Sequence, residues 1–151
     1  MRTDNRNVKS TIISIYFILL VMAILLATVF RSLELFKGSS LFVLIGLLVA
    51  VVVVHFVARY FEYDSDGEKV VITNSGLILT EFLNYREDKV EIVKSKLVGF
   101  KIRNYIIYRT LIIAINNSDG SISKERFNVT LLKRKKLRYV KQSLRKIIKG
   151  K

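Results

Sequence analysis

The chain has 151 residues, of which 51% are hydrophobic and 25% charged, and its net charge is +14. The averages match a basic globular domain, but the two classes are segregated: residues 11–30 and 41–58 carry no charge, and all 26 Lys and Arg lie outside them. This excludes a uniform soluble domain and predicts a membrane protein with a basic soluble part.

The first two predicted elements are apolar helices, over about 10–31 and 40–61. A helix rises ~1.5 Å per residue, so 20 residues span roughly 30 Å, one hydrocarbon thickness. Residues 1–61 are therefore expected to form a two-helix transmembrane hairpin. The first run is longer than the ~7–15 residues of a secretory signal core. Ala23 and Ala27 are also spaced by four rather than by the two of a cleavage site, so the helix is expected to be retained. Arg2, Arg6 and Lys9 precede it, while Arg31 and Lys37 lie between the helices with Glu34. The excess of cations outside the hairpin loop predicts an inner-membrane, multi-pass protein with both termini cytoplasmic.

Within the hairpin, Ala23/Ala27 and Gly46/Ala50 form small-xxx-small pairs. Such pairs let helix backbones approach closely, although small residues are common in membrane helices and the spacing alone leaves chance open. His55 is the one group inside either run that titrates near neutral pH. Its place four residues before Arg59, near the interface, favours a structural role over a functional one. Tyr60, Phe61 and Tyr63 beside Arg59 predict an interfacial aromatic cluster.

From Glu62 the apolar period becomes two, which predicts a soluble domain over 62–151. Strands are predicted around Val70/Ile72, Leu77–Phe82, Val90/Ile92 and Val98/Phe100/Ile102. Tyr105–Ile115 reads as one long strand, and Ser121–Val129 closes the series. Asp66-Gly67, Asn74-Ser75-Gly76 and Asn117-Ser118-Asp119-Gly120 are predicted turns. Six or seven sequential antiparallel strands must bury one face, so a sandwich or partly open barrel is expected.

The last element is an amphipathic helix from about Leu132 to Lys149, with Thr130 as the expected N-cap. Its apolar stripe is Leu132, Leu137, Val140, Leu144, Ile147 and Ile148. Residues 131–151 contain ten Lys or Arg and no acid. Residues 1–85 balance at seven basic and seven acidic residues, so the whole net charge belongs to 86–151.

This order of two membrane helices, about seven strands and one terminal helix resembles the small bacterial membrane proteins with a pleckstrin-homology-like (PH-like) domain. The resemblance is strongest in Lys96-Leu97-Val98-Gly99-Phe100-Lys101-Ile102-Arg103 and in Phe127-Asn128-Val129-Thr130 leading into the basic helix. It implies an α+β fold in which a bent antiparallel barrel is plugged by the last helix. Eukaryotic lipid-binding members place basic residues around the first hairpin loop and a tryptophan in the last helix. Here the loop taken as equivalent, Asp64-Ser65-Asp66-Gly67, is acidic, and the chain has no Trp. The resemblance thus implies the fold and not inositol-phosphate recognition.

The cations define the candidate site: Lys101, Arg103, Lys133, Arg134, Lys135, Lys136, Arg138, Lys141, Arg145 and Lys146, with Arg109, Lys124 and Arg126 extending the strand surface. Three readings share it: a solvated face, attraction to the anionic lipid leaflet, and an acidic protein or nucleic-acid partner. Nucleic acid is disfavoured, because no recognised binding signature is present. No phosphate loop, nucleophile set or metal-ligand cluster appears, and Glu62, Asp64, Asp66 and Glu68 read as turn chemistry. The sequence therefore predicts a non-catalytic, cofactor-free binding or scaffold module. The alternative is an accessory subunit of a larger membrane transport or secretion complex, with Ala23, Ala27, Gly46 and Ala50 as its helix–helix seam.

Overall fold

The structure, a computed structural model, describes residues 1–32, 39–76 and 88–150. It divides into two compact units: residues 7–56, and residues 1–6 together with 57–151.

In the first unit both apolar runs are helical: α1 is Lys9–Ser32 and α2 is Ser39–Val57. Their lack of charge leaves only apolar packing and internal backbone hydrogen bonds. The hydroxyls of Ser14 and Thr28 donate back to the carbonyls of Ser10 and Ile24, at 3.0 and 2.8 Å, so neither is left unpaired in apolar surroundings. Among the described residues one helical stretch, Arg6–Val29, is long and apolar enough to cross a membrane, with a mean hydropathy of 2.9. The second contributes a shorter apolar stretch, Ile45–Val54.

The second unit is α+β. Its strands are β1 Arg2–Asp4, β2 Arg59–Asp64, β3 Lys69–Gly76, β4 Asp88–Val93, β5 Leu97–Asn104, β6 Arg109–Asn116 and β7 Ile122–Asn128, followed by helix α3, Arg134–Lys149. The described strands form two antiparallel sheets, β1-β2-β3-β4 and β5-β6-β7. The strand expected over Leu77–Phe82 lies outside the described residues, as do Glu34 and Lys37.

Strand β1 places the N-terminus in the β unit, whereas the sequence reading counted residues 1–61 to the helix hairpin. Arg2 pairs with Asp64 and Asp4 with Glu62, so the chain leaves the sheet after β1 and returns to it at β2. Asn5 extends the ladder with its side chain. Its backbone N–H donates to the Phe61 carbonyl (3.1 Å), its Oδ1 accepts from the Phe61 N–H (2.9 Å), and its Nδ2 donates to the Arg59 carbonyl (2.9 Å). The Arg2 guanidinium meets the Glu62 carboxylate at 2.5 Å, and the Met1 amino group pairs with Asp66. Three strand residues suffice because charge pairs and the Asn5 amide supply what length does not.

The core is shared by both sheets and α3. It contains Phe61 and Tyr63 from β2, Val70 and Ile72 from β3, Ile92 from β4, and Leu97, Leu111, Ile113 and Phe127 from the second sheet. Val129 and Leu132, with Leu137, Val140 and Leu144 of α3, complete it. Phe61 and Tyr63 are fully buried, which overturns their assignment to an interfacial belt. They alternate with half-buried Tyr60 and Glu62 in a strand, and the alternation aims them inward.

Three further expectations change. A register shift between Leu97 and Gly99 turns Val98 outward and puts Leu97 in the core ahead of Phe100 and Ile102. Asn74 and Ser75 are buried strand residues rather than a turn. Thr130 does not cap α3: its Oγ1 accepts from the Arg109 N–H (2.9 Å) and donates to Asn128 Oδ1 (2.6 Å), and the N-cap is Lys133 without a side-chain bond.

Asn74 joins the two sheets. Its Nδ2 donates to the Asn128 carbonyl and its Oδ1 accepts from the Asn128 N–H, both at 3.0 Å. Its Nδ2 also donates to the Tyr60 carbonyl at 3.0 Å. One amide thereby substitutes for a pair of ladder bonds between β3 and the end of β7.

Tyr63 ties β2 to α3 through a 3.0 Å hydrogen bond with Ser143, and Ser143 also bonds Ser65 at 3.1 Å. Burial raises the Tyr63 phenol above its ordinary pKa. The fold therefore favours the neutral phenol. That contribution is complete below about pH 10, the unfolded value, and is lost as pH rises through the higher folded value. Urea unfolding between about pH 8 and 11 should show a smaller alkaline loss of stability for Tyr63→Phe than for the parent chain. An unchanged slope would assign the loss elsewhere, with Tyr60, also raised by burial, the next group to replace.

Candidate functional site: the cationic faces

The alternation along β5, β6 and β7 decides which cations share a surface. Leu111, Ile113 and Phe127 are buried, so the residues between them face outward. Lys101 sits opposite Ile112, which sits opposite Arg126; Arg103 sits opposite Thr110; Ala114 sits opposite Lys124. Lys101, Arg103, Lys124 and Arg126 thus share the outer face of one three-stranded sheet, and all four are exposed. Among the described residues none of the four makes an ion pair. Arg109 follows the other alternation, with Leu111 and Ile113, and does not extend this face.

Helix α3 carries the second group. Leu137, Val140 and Leu144 face the core, while Arg134, Lys135, Arg138, Arg145 and Lys146 are exposed and Lys141 is half-buried. Lys133 precedes the first turn, which is basic and contains no acid. Cations at this end oppose the helix dipole, each by about 0.3–1 kcal/mol, so the start of α3 does not optimise local stability. Lys136 is the exception. Its ammonium donates to the Asp4 carbonyl at 2.5 Å and lies 3.6 Å from the Asp4 carboxylate, fastening α3 to β1. It belongs to the fold rather than to a free basic surface. Because sheet and helix turn their apolar sides into one core, the single basic surface expected from sequence resolves into two faces directed away from that core.

The acidic hairpin does what turn chemistry and β1 require. Asp64 accepts from the Asp66 N–H at 2.9 Å, and Glu62 accepts from the Tyr60 hydroxyl at 2.7 Å. Gly67 supplies the positive φ of 72° that the turn needs. Lys69 of β3 and Lys89 of β4 hold the Glu91 carboxyl below the ordinary carboxylate range. No group of three or more His, Asp or Glu residues able to hold a metal occurs among the described residues. A cleft of about 620 Å³ opens between Ser65, Lys94, Ser143 and Lys146, and Lys94 is already engaged with the Gly67 carbonyl at 2.5 Å.

On the helices, Ala27 and Gly46 are exposed, Ala23 and Ala50 half-buried, and a Cβ built on Gly46 would meet no atom within 4 Å. The His55 side chain lies outside what the structure describes. Sequence reasoning missed β1 and the tip of the β5–β6 hairpin. The first could have been found from charge: Arg2 faces an acidic stretch, Glu62 to Glu68, that lacks another basic partner within it. Comparison of the chain with protein-family models, with curated proteins and with solved structures finds no match.

Proposed function

We propose that this chain is a membrane-anchored, non-catalytic binding or scaffold module of the PH-like kind, whose cationic sheet face meets the anionic cytoplasmic leaflet. The observation that carries the reading is the outer face of β5-β6-β7, where four exposed cations lack acidic partners among the described residues. Each Lys or Arg close to such a leaflet contributes about 1 kcal/mol. Sequential antiparallel strands followed by a helix that enters the core are also the features the PH-like resemblance implies.

The pairing of β1 with β2 supports a two-crossing anchor. Residues 7–56 leave and rejoin neighbouring strands of one folded unit. A segment with both ends held there must cross a bilayer an even number of times, which favours the helix hairpin with both flanks on one side. Removal of α1 as a signal would also strip β1 from the sheet. The small excess of Lys and Arg in the flanks over the segment between the helices favours the cytoplasmic side for the β unit.

Lysine acetylation footprinting of the full-length protein in nanodiscs tests the lipid contact. Lys101 should react several-fold more slowly in discs containing about 30% anionic lipid than in neutral discs, and the difference should vanish at high salt. Equal rates in both discs would remove the lipid reading. Protection seen only in native membranes would assign the face to an acidic protein partner. The accessory-subunit reading rests on the open space around Gly46, where a second helix backbone fits.

A further inference from the structure

The β5–β6 hairpin ends in Tyr105-Ile106-Ile107-Tyr108. The last strand pair is Asn104 with Arg109, and the Tyr105 N–H donates to the Tyr108 carbonyl at 2.8 Å, so Ile106 and Ile107 form the tip. Two-residue hairpin tips favour Gly, Asn and Asp, which tolerate the tight backbone and interact with water. Two β-branched apolar residues contradict both preferences. They are also strongly exposed: Ile106 at 105% and Ile107 at 60%. The flanking Tyr105 and Tyr108 rings stack at 4.5 Å between centroids with an interplanar angle of 19°. Stacked tyrosines stiffen the tip and present an apolar body with a polar end, the chemistry of a membrane interface.

We propose that Ile106 and Ile107 insert into the interfacial layer of an anionic bilayer, with the stacked tyrosines at the headgroup level. The occupant is a lipid surface because of the cations behind the tip. At ~3.3 Å per residue, Arg103 lies ~10 Å and Lys101 ~16 Å up the strand from Ile106. The headgroup layer is ~5–8 Å deep on each side of the hydrocarbon. With the tip at the hydrocarbon boundary, Arg103 lies at the outer edge of the headgroups, and Lys101, with Arg126 two strands across, lies within about one Debye length beyond. An apolar tip backed by unpaired cations is complementary to a surface with an anionic skin and an apolar interior. The inference deepens the proposed function and rests on its reading of the sheet face.

The chain contains no Trp, so a single introduced indole reports without background. Full-length Ile106→Trp in anionic nanodiscs carrying dibrominated acyl chains should show blue-shifted emission and several-fold stronger quenching than Ile122→Trp. Ile122 is exposed at the opposite end of the sheet, paired with Asn116, and serves as the aqueous control. Adding Ile107→Asp to the Ile106→Trp chain should abolish the difference. Water-like emission with quenching equal to the control would overturn the proposal. A blue shift without bromine quenching would overturn it too, by placing a protein surface over the tip. Lysine footprinting on the same samples separates the two levels. A quenched indole in the Ile106→Trp chain with an unprotected Lys101 retains the insertion and removes the electrostatic reading. A protected Lys101 with an unquenched indole does the reverse.

Discussion

Asn74→Ala is expected to destabilise the β unit more than any other single polar replacement in it. The substitution removes a partner of the Asn128 N–H, of the Asn128 carbonyl and of the Tyr60 carbonyl, three bonds of 3.0 Å at a residue only 4% exposed. A net loss of ~1 kcal/mol per bond gives about 3 kcal/mol, and the burial of the site pushes the value up. For a domain of this size, each kcal/mol moves Tm by roughly 4–8 °C. The midpoint of thermal unfolding in mild detergent, followed by circular dichroism, should therefore fall by roughly 12–24 °C. Asn74→Asp keeps the shape but loses the donor and buries a charge, so it should be at least as damaging. Asn117→Ala, at an exposed turn, should cost under about 1 kcal/mol. A drop of only a few degrees in Asn74→Ala would show that the two sheets are held by their shared core alone.

The second large effect concerns the whole apolar unit. A chain in which residues 7–56 are replaced by a short Gly-Ser bridge from Arg6 to Val57 should move from the membrane fraction to the soluble fraction and keep its β-rich circular dichroism spectrum. Neighbouring strands lie ~4.8 Å apart, so a bridge of about six residues reaches easily. The same excised chain without residues 1–6 should be markedly less stable. It loses the Asn5 bonds to Arg59 and Phe61, the Arg2–Glu62 pair and the Lys136–Asp4 contact, and it bares the edge of β2. Equal stability with and without residues 1–6 would show that β1 is ornamental, and an unfolded excised chain would show that the helices hold the strands together.

Much of the β unit is legible in the sequence. The alternation of β3 and β4 and the basic amphipathic α3 follow from periodicity, and Gly67 and Gly120 mark turns with positive φ. What escapes reading has specific causes. Strand β1 is polar and three residues long, too short to show a period. Phe61 and Tyr63 follow directly on an apolar helix, where a belt and a buried strand have the same composition. The tip at Ile106 is hidden inside a run of apolar residues whose pattern continues into β6. One extra residue near Val98 displaces the inward set by a position, and composition does not register it. The candidate cations were legible as a cluster, but the strand register was needed to set Arg109 apart from Lys101, and a contact 132 residues distant to withdraw Lys136.

The placement of β1 also sets an order of events during synthesis. The first strand of the chain cannot pair when it is made, because its partner follows some 60 residues later. Until then β1 must wait while the intervening segment is delivered to its destination. A closure of that length is entropically slow on a free chain. Sheet completion is thus coupled in time to the fate of residues 7–56. A nascent chain whose apolar segment goes astray keeps an open β2 edge, which quality-control proteases and aggregation can both recognise.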